Sequence, residues 1–160
     1  MASVLSAEGF RFLFRSDQGR VGRQVWWLAA GLLASLVIVL TLGWYALSPY
    51  AHRTLAERGR LFDTMTFISY VYLALYAFAV LLISVCYVNL SAKRLRDGGW
   101  PTGFAGAVPL AALCVGALHW LQPRVAEVFP YVIVVGADVV LLAVVVWQIY
   151  LLGIANSADP

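Results

Sequence analysis

Charged residues are scarce in this chain: they make up 12% of it, against about 25% in a soluble domain. Such a domain buries one core and wets the rest of its surface. This chain has too little polar surface to do that. Histidine and cysteine are scarcer still, with two of each. Cys86 and Cys114 make no Cys-x-x-Cys motif and no disulfide framework. His52 and His119 lack Glu or Cys at ligand spacing, which argues against a zinc or haem centre. There is no Gly-rich phosphate loop, no Ser/His/Asp set and no paired carboxylate site. The expectation is a chain with no catalytic, metal or cofactor site, and so no enzyme. A basic stripe interleaved with aromatics, as nucleic-acid binding would need, is also absent.

What the chain has instead is apolar residues in long blocks, at 62% hydrophobic overall. Four blocks have the length of membrane spans: Val25–Leu47, Thr66–Leu90, Phe104–Leu121 and Val128–Gly153. A bilayer core of about 30 Å needs roughly 20 helical residues. The third block has 18 residues and contains Pro109, so it reads as a short span or a re-entrant segment, with a span favoured because the proline comes early. The expected fold is all-α: a polytopic membrane helical bundle of four transmembrane helices forming a single domain over residues 1–160. Breakers separate the blocks: Ser48-Pro49, Gly98-Gly99 with Pro101, Gln122-Pro123, and Pro130 in the first turn of the fourth. The segment before Gln18 has no apolar run of signal-peptide type, so the first span reads as an uncleaved anchor.

Lysine and arginine set the expected orientation. Arg11, Arg15, Arg20, Arg23, Lys93, Arg94 and Arg96 fall on one side, and Arg53, Arg58, Arg60 and Arg124 on the other. Seven against four predicts both termini in the cytoplasm. Trp26, Trp27, Trp44, Trp100 and Trp120 lie near block ends, as an interfacial belt requires, whereas Trp147 lies deeper. Two interfacial helices are considered. One covers residues 7–16, with Phe10, Leu13 and Phe14 on one face. The other opens with the capping-box pattern Thr54-Leu55-Ala56-Glu57, followed by Leu61 and Phe62.

Two stretches together resemble a known family. They are Gly19-Arg20-Val21-Gly22-Arg23-Gln24-Val25-Trp26 and Ala92-Lys93-Arg94-Leu95-Arg96-Asp97-Gly98-Gly99-Trp100, the latter followed by Pro109. They are similar to the motifs of the bacterial membrane family called domain of unknown function 805, and the tail Asn156-Ser157-Ala158-Asp159-Pro160 is similar to that family's ending. Arg96 stands where the family usually has His, Val25 where it usually has an aromatic, and the segment after Asp97 is shortened. The resemblance implies a bacterial inner-membrane location and no established activity.

Asp138 stands out as the acid within the fourth block. Counted from Val128 it lies ten residues in, near the bilayer centre. An acid there costs about 3 kcal/mol, while the sixteen Val, Leu, Ile and Phe of the block return about 0.4 kcal/mol each. Insertion therefore wins, and Asp138 must be protonated or hydrogen-bonded. Depth arithmetic pairs it with Tyr76, with Ser35 within about a turn. This set serves either as structural polar glue or as a proton or ion site.

A second candidate is the basic face of Arg20, Arg23, Lys93, Arg94 and Arg96, which suits an anionic lipid head group or another phosphate. Its alternative role is topology alone, with Asp97 paired to Lys93 at i, i+4. Cys86 and Cys114 differ in depth by about 9 Å, beyond disulfide reach. Ala30–Ala34, Gly31–Ser35 and Ala112–Gly116 are small-residue pairs suited to helix packing, and Tyr70, Tyr72 and Tyr76 line a cavity or pack between helices. The expected function is an accessory, assembly or structural membrane component that interacts with lipids, partner membrane proteins or copies of itself. The alternative is a small transporter or channel with Asp138 in its path.

Overall fold

The computed structural model describes residues 6–51, 63–122, 125 and 129–155. Outside them lie His52, Arg53, Arg58, Arg60, Arg124, the capping-box stretch from Thr54 to Phe62, Pro123 and the tail from Asn156 to Pro160. The described residues form helices and no strand. A short helix α1 (Ala7–Phe10), capped by the Ser6 hydroxyl accepting from Gly9 N–H at 3.0 Å, runs on as a wide turn over Arg11–Arg15. Then come α2 (Arg23–Ala51), α3 (Thr64–Asp97), a tight turn at Thr102–Gly106 leading into α4 (Ala107–Leu121), and α5 (Tyr131–Ile149), which widens over Tyr150–Ile154.

Four stretches are long and apolar enough to cross a membrane: Arg23–Ala51, Thr64–Asp97, Thr102–Leu121 and Tyr131–Ile154. Each meets the length that a bilayer core demands. Their ends differ from the block boundaries for local reasons. The first helix does not stop at Ser48-Pro49. Pro49 has no N–H to give to the Tyr45 carbonyl one turn back, and the Ser48 hydroxyl donates to that carbonyl instead at 3.1 Å. The helix continues to Ala51. Thr66 N–H donates to the Asp63 carboxylate at 3.2 Å, which caps the start of α3. Pro130 caps α5 with extended backbone instead of lying in its first turn, so α5 begins at Tyr131 and not at Val128.

At the far end of α3, Gly99 adopts φ +71°, Gly99 N–H donates to Arg96 C=O, and Trp100 N–H donates to Leu95 C=O at 2.8 Å. This pair of bonds is the Schellman stop, and it needs a residue without Cβ strain at Gly99. The Gly98-Gly99 break expected from sequence is therefore observed.

Contacts divide the chain into two compact units, residues 30–85 and residues 1–29 with 86–160. In the first, α2 and α3 run antiparallel and are tied by hydroxyls. Tyr72 donates to Leu40 C=O at 2.8 Å, Tyr70 to Ala51 C=O at 3.1 Å, and Ser69 to Leu47 C=O at 3.2 Å. Thr66 donates to Tyr50 C=O at 3.2 Å. In the second unit α4 packs on α5. Trp147, too deep for an interfacial belt, stacks edge-on against Phe104 with centroids 5.2 Å apart.

Burial is inverted relative to a soluble protein. Val132, Leu28 and Leu42 are 60–70% exposed, while Lys93 and Arg94 are 2% exposed or less. Many apolar side chains face outward along the helices, while these two cations lie inside.

Candidate functional site

The end of α3 presents Lys93, Arg94 and Arg96 in its last turn and a half, all in the second unit with the N-terminal segment and the end of α5. Helix C-termini leave carbonyls unpaired and carry partial negative charge. The ends of the N-terminal helix and of α5 meet the end of α3 here, and its cations serve their carbonyls. Lys93 Nζ donates to the carbonyls of Phe12 and, at 3.0 Å, Leu13, and lies 4.7 Å from the Phe12 ring centre. Asn89 donates to Phe14 C=O at 2.8 Å. Arg94 donates through Nε to Leu152 C=O at 2.9 Å and through Nη2 to Ala155 C=O at 2.6 Å, and it pairs with Asp97. Arg96 donates to the carbonyls of Asp17 at 2.9 Å and Gly19 at 3.0 Å. The wide turns at Arg11–Arg15 and Tyr150–Ile154 hold the carbonyls of Phe12, Leu13, Phe14 and Leu152 that this clamp takes up.

Of the five basic residues read as one lipid-facing set, Lys93 and Arg94 are turned inward, and only Arg20 and Arg23 are fully exposed. Arg96 is partly buried. The reason is that burying a cation is tolerable when its donors are matched by acceptors, and the helix ends supply them. Asp97 pairs with Arg94 at i, i+3 instead of with Lys93. The apolar face of the N-terminal helix meets the same end of α3. Leu13 and Phe14 are buried in protein, which leaves Phe10 and Phe12 about half exposed.

Two glycines permit this packing. Gly19 has φ +101°, and a Cβ on it would come within 2.7 Å of the Phe12 ring. Gly19→Ala is expected to cost about 1–3 kcal/mol, read as a lower midpoint in denaturant unfolding of the full chain in mild detergent; an unchanged midpoint would show that the segment is loosely held. At Gly153 a Cβ would stand 2.6 Å from the Trp27 indole, whose Nε1 donates to Gly153 C=O at 3.1 Å.

The intramembrane polar set is arranged differently from the depth estimate. Asp138 is bonded to His119, whose Nε2 lies 3.0 Å and 3.2 Å from its two carboxylate oxygens. The hydroxyl of Tyr76 pairs with that of Thr41 at 3.2 Å, and Ser35 donates to its own helix at Leu32 C=O, at 2.8 Å. Because α5 starts three residues later than the apolar block, Asp138 is about 4.5 Å nearer the helix start than counted. Its side chain meets His119, near the end of α4.

Gln148 was not singled out from the sequence. It is 1% exposed, accepts from Tyr87 O–H at 2.7 Å and donates to Phe104 C=O, so it joins α3, α5 and the turn before α4. Its one signal is an amide inside an apolar run. Cys86 and Cys114 are free thiols. Among the described residues no three His, Cys, Asp or Glu side chains converge as a metal cage would require. Comparison with protein-family models gives no match, and neither curated proteins nor solved structures yield one.

Proposed function

We propose that this chain is a multi-pass protein of the bacterial inner membrane, with both ends cytoplasmic. It works there as an accessory, assembly or structural component through lipid and partner-protein contacts, without catalysis. One observation carries the reading: aliphatic side chains on the outside with Lys93 and Arg94 inside, an arrangement suited to lipid as the surrounding solvent. The bonds from α3 to both the N-terminal segment and the end of α5 support termini on one side. The motif resemblance to the family called domain of unknown function 805 supports the location. In this reading Lys93, Arg94, Asp97, Gly98 and Gly99 are shared for the sake of the fold, as clamp and helix stop.

Lipid contact then falls to the exposed Arg11, Arg15, Arg20 and Arg23, beside half-exposed Phe10 and Phe12. Each arginine near an anionic surface contributes about 1 kcal/mol. Retention of phosphatidylglycerol by the detergent-extracted protein, read by native mass spectrometry, should fall about fivefold for Arg20→Gln and further for Arg20→Gln with Arg23→Gln. A matching fall for phosphatidylserine marks general charge attraction. Unchanged retention of both lipids would overturn the assignment.

A second reading, a small transporter or channel, is favoured by the ionisable partner of Asp138. Its test is dissipation of a pH gradient in proteoliposomes by the wild type and not by Asp138→Asn.

A further inference from the structure

The bonds holding residues 6–22 on the end of α3 run from side chains of α3 to backbone carbonyls. Lys93 serves Phe12 and Leu13, Asn89 serves Phe14, and Arg96 serves Asp17 and Gly19. Leu13, Phe14 and Val21 are buried. A carbonyl satisfies a donor but brings no net charge, so docking gathers cations without neutralising them. Arg11, Arg15 and Arg20 in the segment and Arg23 just after it are exposed, with Glu8 and Asp17 as the acids among them. The end of α3 adds Lys93, Arg94 and Arg96, with Asp97. Seven cations therefore stand against three acids. Like charges closer than a Debye length repel, and such self-repulsion opposes a compact state.

We propose that a lipid surface of net negative charge is the second partner of this segment, and that its charge tightens the segment's hold on α3. The segment is then a latch, more firmly closed in an anionic leaflet than in a neutral one. Its outward side chains supply both halves of an interfacial contact. The arginines meet head-group phosphates. Phe10 and Phe12, 52% and 43% exposed, meet the acyl boundary. An anionic surface offsets the summed positive charge most where the cations are gathered, which is in the docked state. A partner that favours one state shifts the balance toward it. A neutral leaflet receives the aromatic rings equally well but leaves the repulsion standing.

The inference rests on the lipid contact proposed above and adds what that contact does. Lys93 is the one lysine of the chain and is 0% exposed. Its amine is held by the segment's carbonyls, so acylation by an uncharged reagent needs the latch to open. The full chain in nanodiscs of phosphatidylcholine alone is compared with the same chain in discs containing phosphatidylglycerol. The amine introduced by Thr102→Lys, at an exposed position just beyond the stop of α3, reports reagent supply and local pH. Mass spectrometry reads both sites. Relative to that reference, Lys93 should react about tenfold more slowly in the anionic discs, which one to two arginines near such a surface supply. In neutral discs, raising salt to about 1 M, where the Debye length is about 3 Å, should slow Lys93 as well. Equal relative rates in the two lipids, or a faster one in the anionic discs, would overturn the latch. A lipid effect without the salt effect would overturn its basis in charge. Phosphatidylglycerol retained by the extracted protein alongside equal rates sinks the latch alone, whereas unchanged retention in the arginine variants sinks the lipid contact first.

Discussion

Arg94→Met should lower the stability of the full chain in mild detergent by about 3–5 kcal/mol, the range for removing one partner of a buried ion pair. Arg94 is 2% exposed, and its guanidinium fans out to Leu152, Ala155 and Asp97. Methionine fills much of the volume but offers no donor. Two helix-end carbonyls and a carboxylate then lose their charged partner, and each such loss costs on its own. Arg94→Lys keeps the charge and loses the planar fork, so it should fall between methionine and wild type. Arg23→Gln, on an exposed side chain, should stay within about 0.5 kcal/mol. The readout is the unfolding midpoint by tryptophan fluorescence. Equal midpoints for Arg94→Met and Arg23→Gln would show that the clamp carries no stability.

Gly43→Ala is the second large effect expected, at about 1–3 kcal/mol. Gly43 lies on α2 against the Tyr72 hydroxyl, and an added Cβ would also stand 2.9 Å from Cζ of that ring. The tyrosine must withdraw, and its bond to Leu40 C=O goes with it. Tyr72→Phe alone removes only the hydroxyl, worth about 0.6 kcal/mol between membrane helices. Combined with Gly43→Ala it also removes the nearer of the two clashing atoms, leaving Cζ. The double variant should therefore lose less than the two single losses added together. Strict additivity in the same unfolding assay would contradict close packing at Gly43.

The helices were legible because hydropathy is a local signal that needs no knowledge of partners. The stop at Gly98-Gly99 was legible for the same reason, since a glycine with positive φ ends a helix by its own backbone freedom. The clamp was not. Counting cations at Lys93, Arg94 and Arg96 predicts a side of the membrane but not the direction of a side chain, and their acceptors lie about 60 to 80 residues away in sequence. The acceptors Phe12, Leu13 and Leu152 lie in helix ends that open into wide turns, which composition does not announce. The partner of Asp138 was missed because depth counting gives no side-chain direction, and the count itself was three residues out, since Pro130 caps α5. A shift of one helical turn suffices to exchange one neighbour for another. Gln148 escaped because one amide barely lowers the mean hydropathy of a valine-rich run.

The proposed function requires lipid around the four apolar helices and both chain ends on the cytoplasmic face. Reporters active on one side of the inner membrane only, fused in turn to the N-terminus and the C-terminus of the full chain in bacterial cells, test this most directly. Cytoplasmic reporters should be active at both ends and periplasmic reporters at neither. Activity of a periplasmic reporter at one end alone would mean an odd number of crossings, and the arrangement argued here would be contradicted.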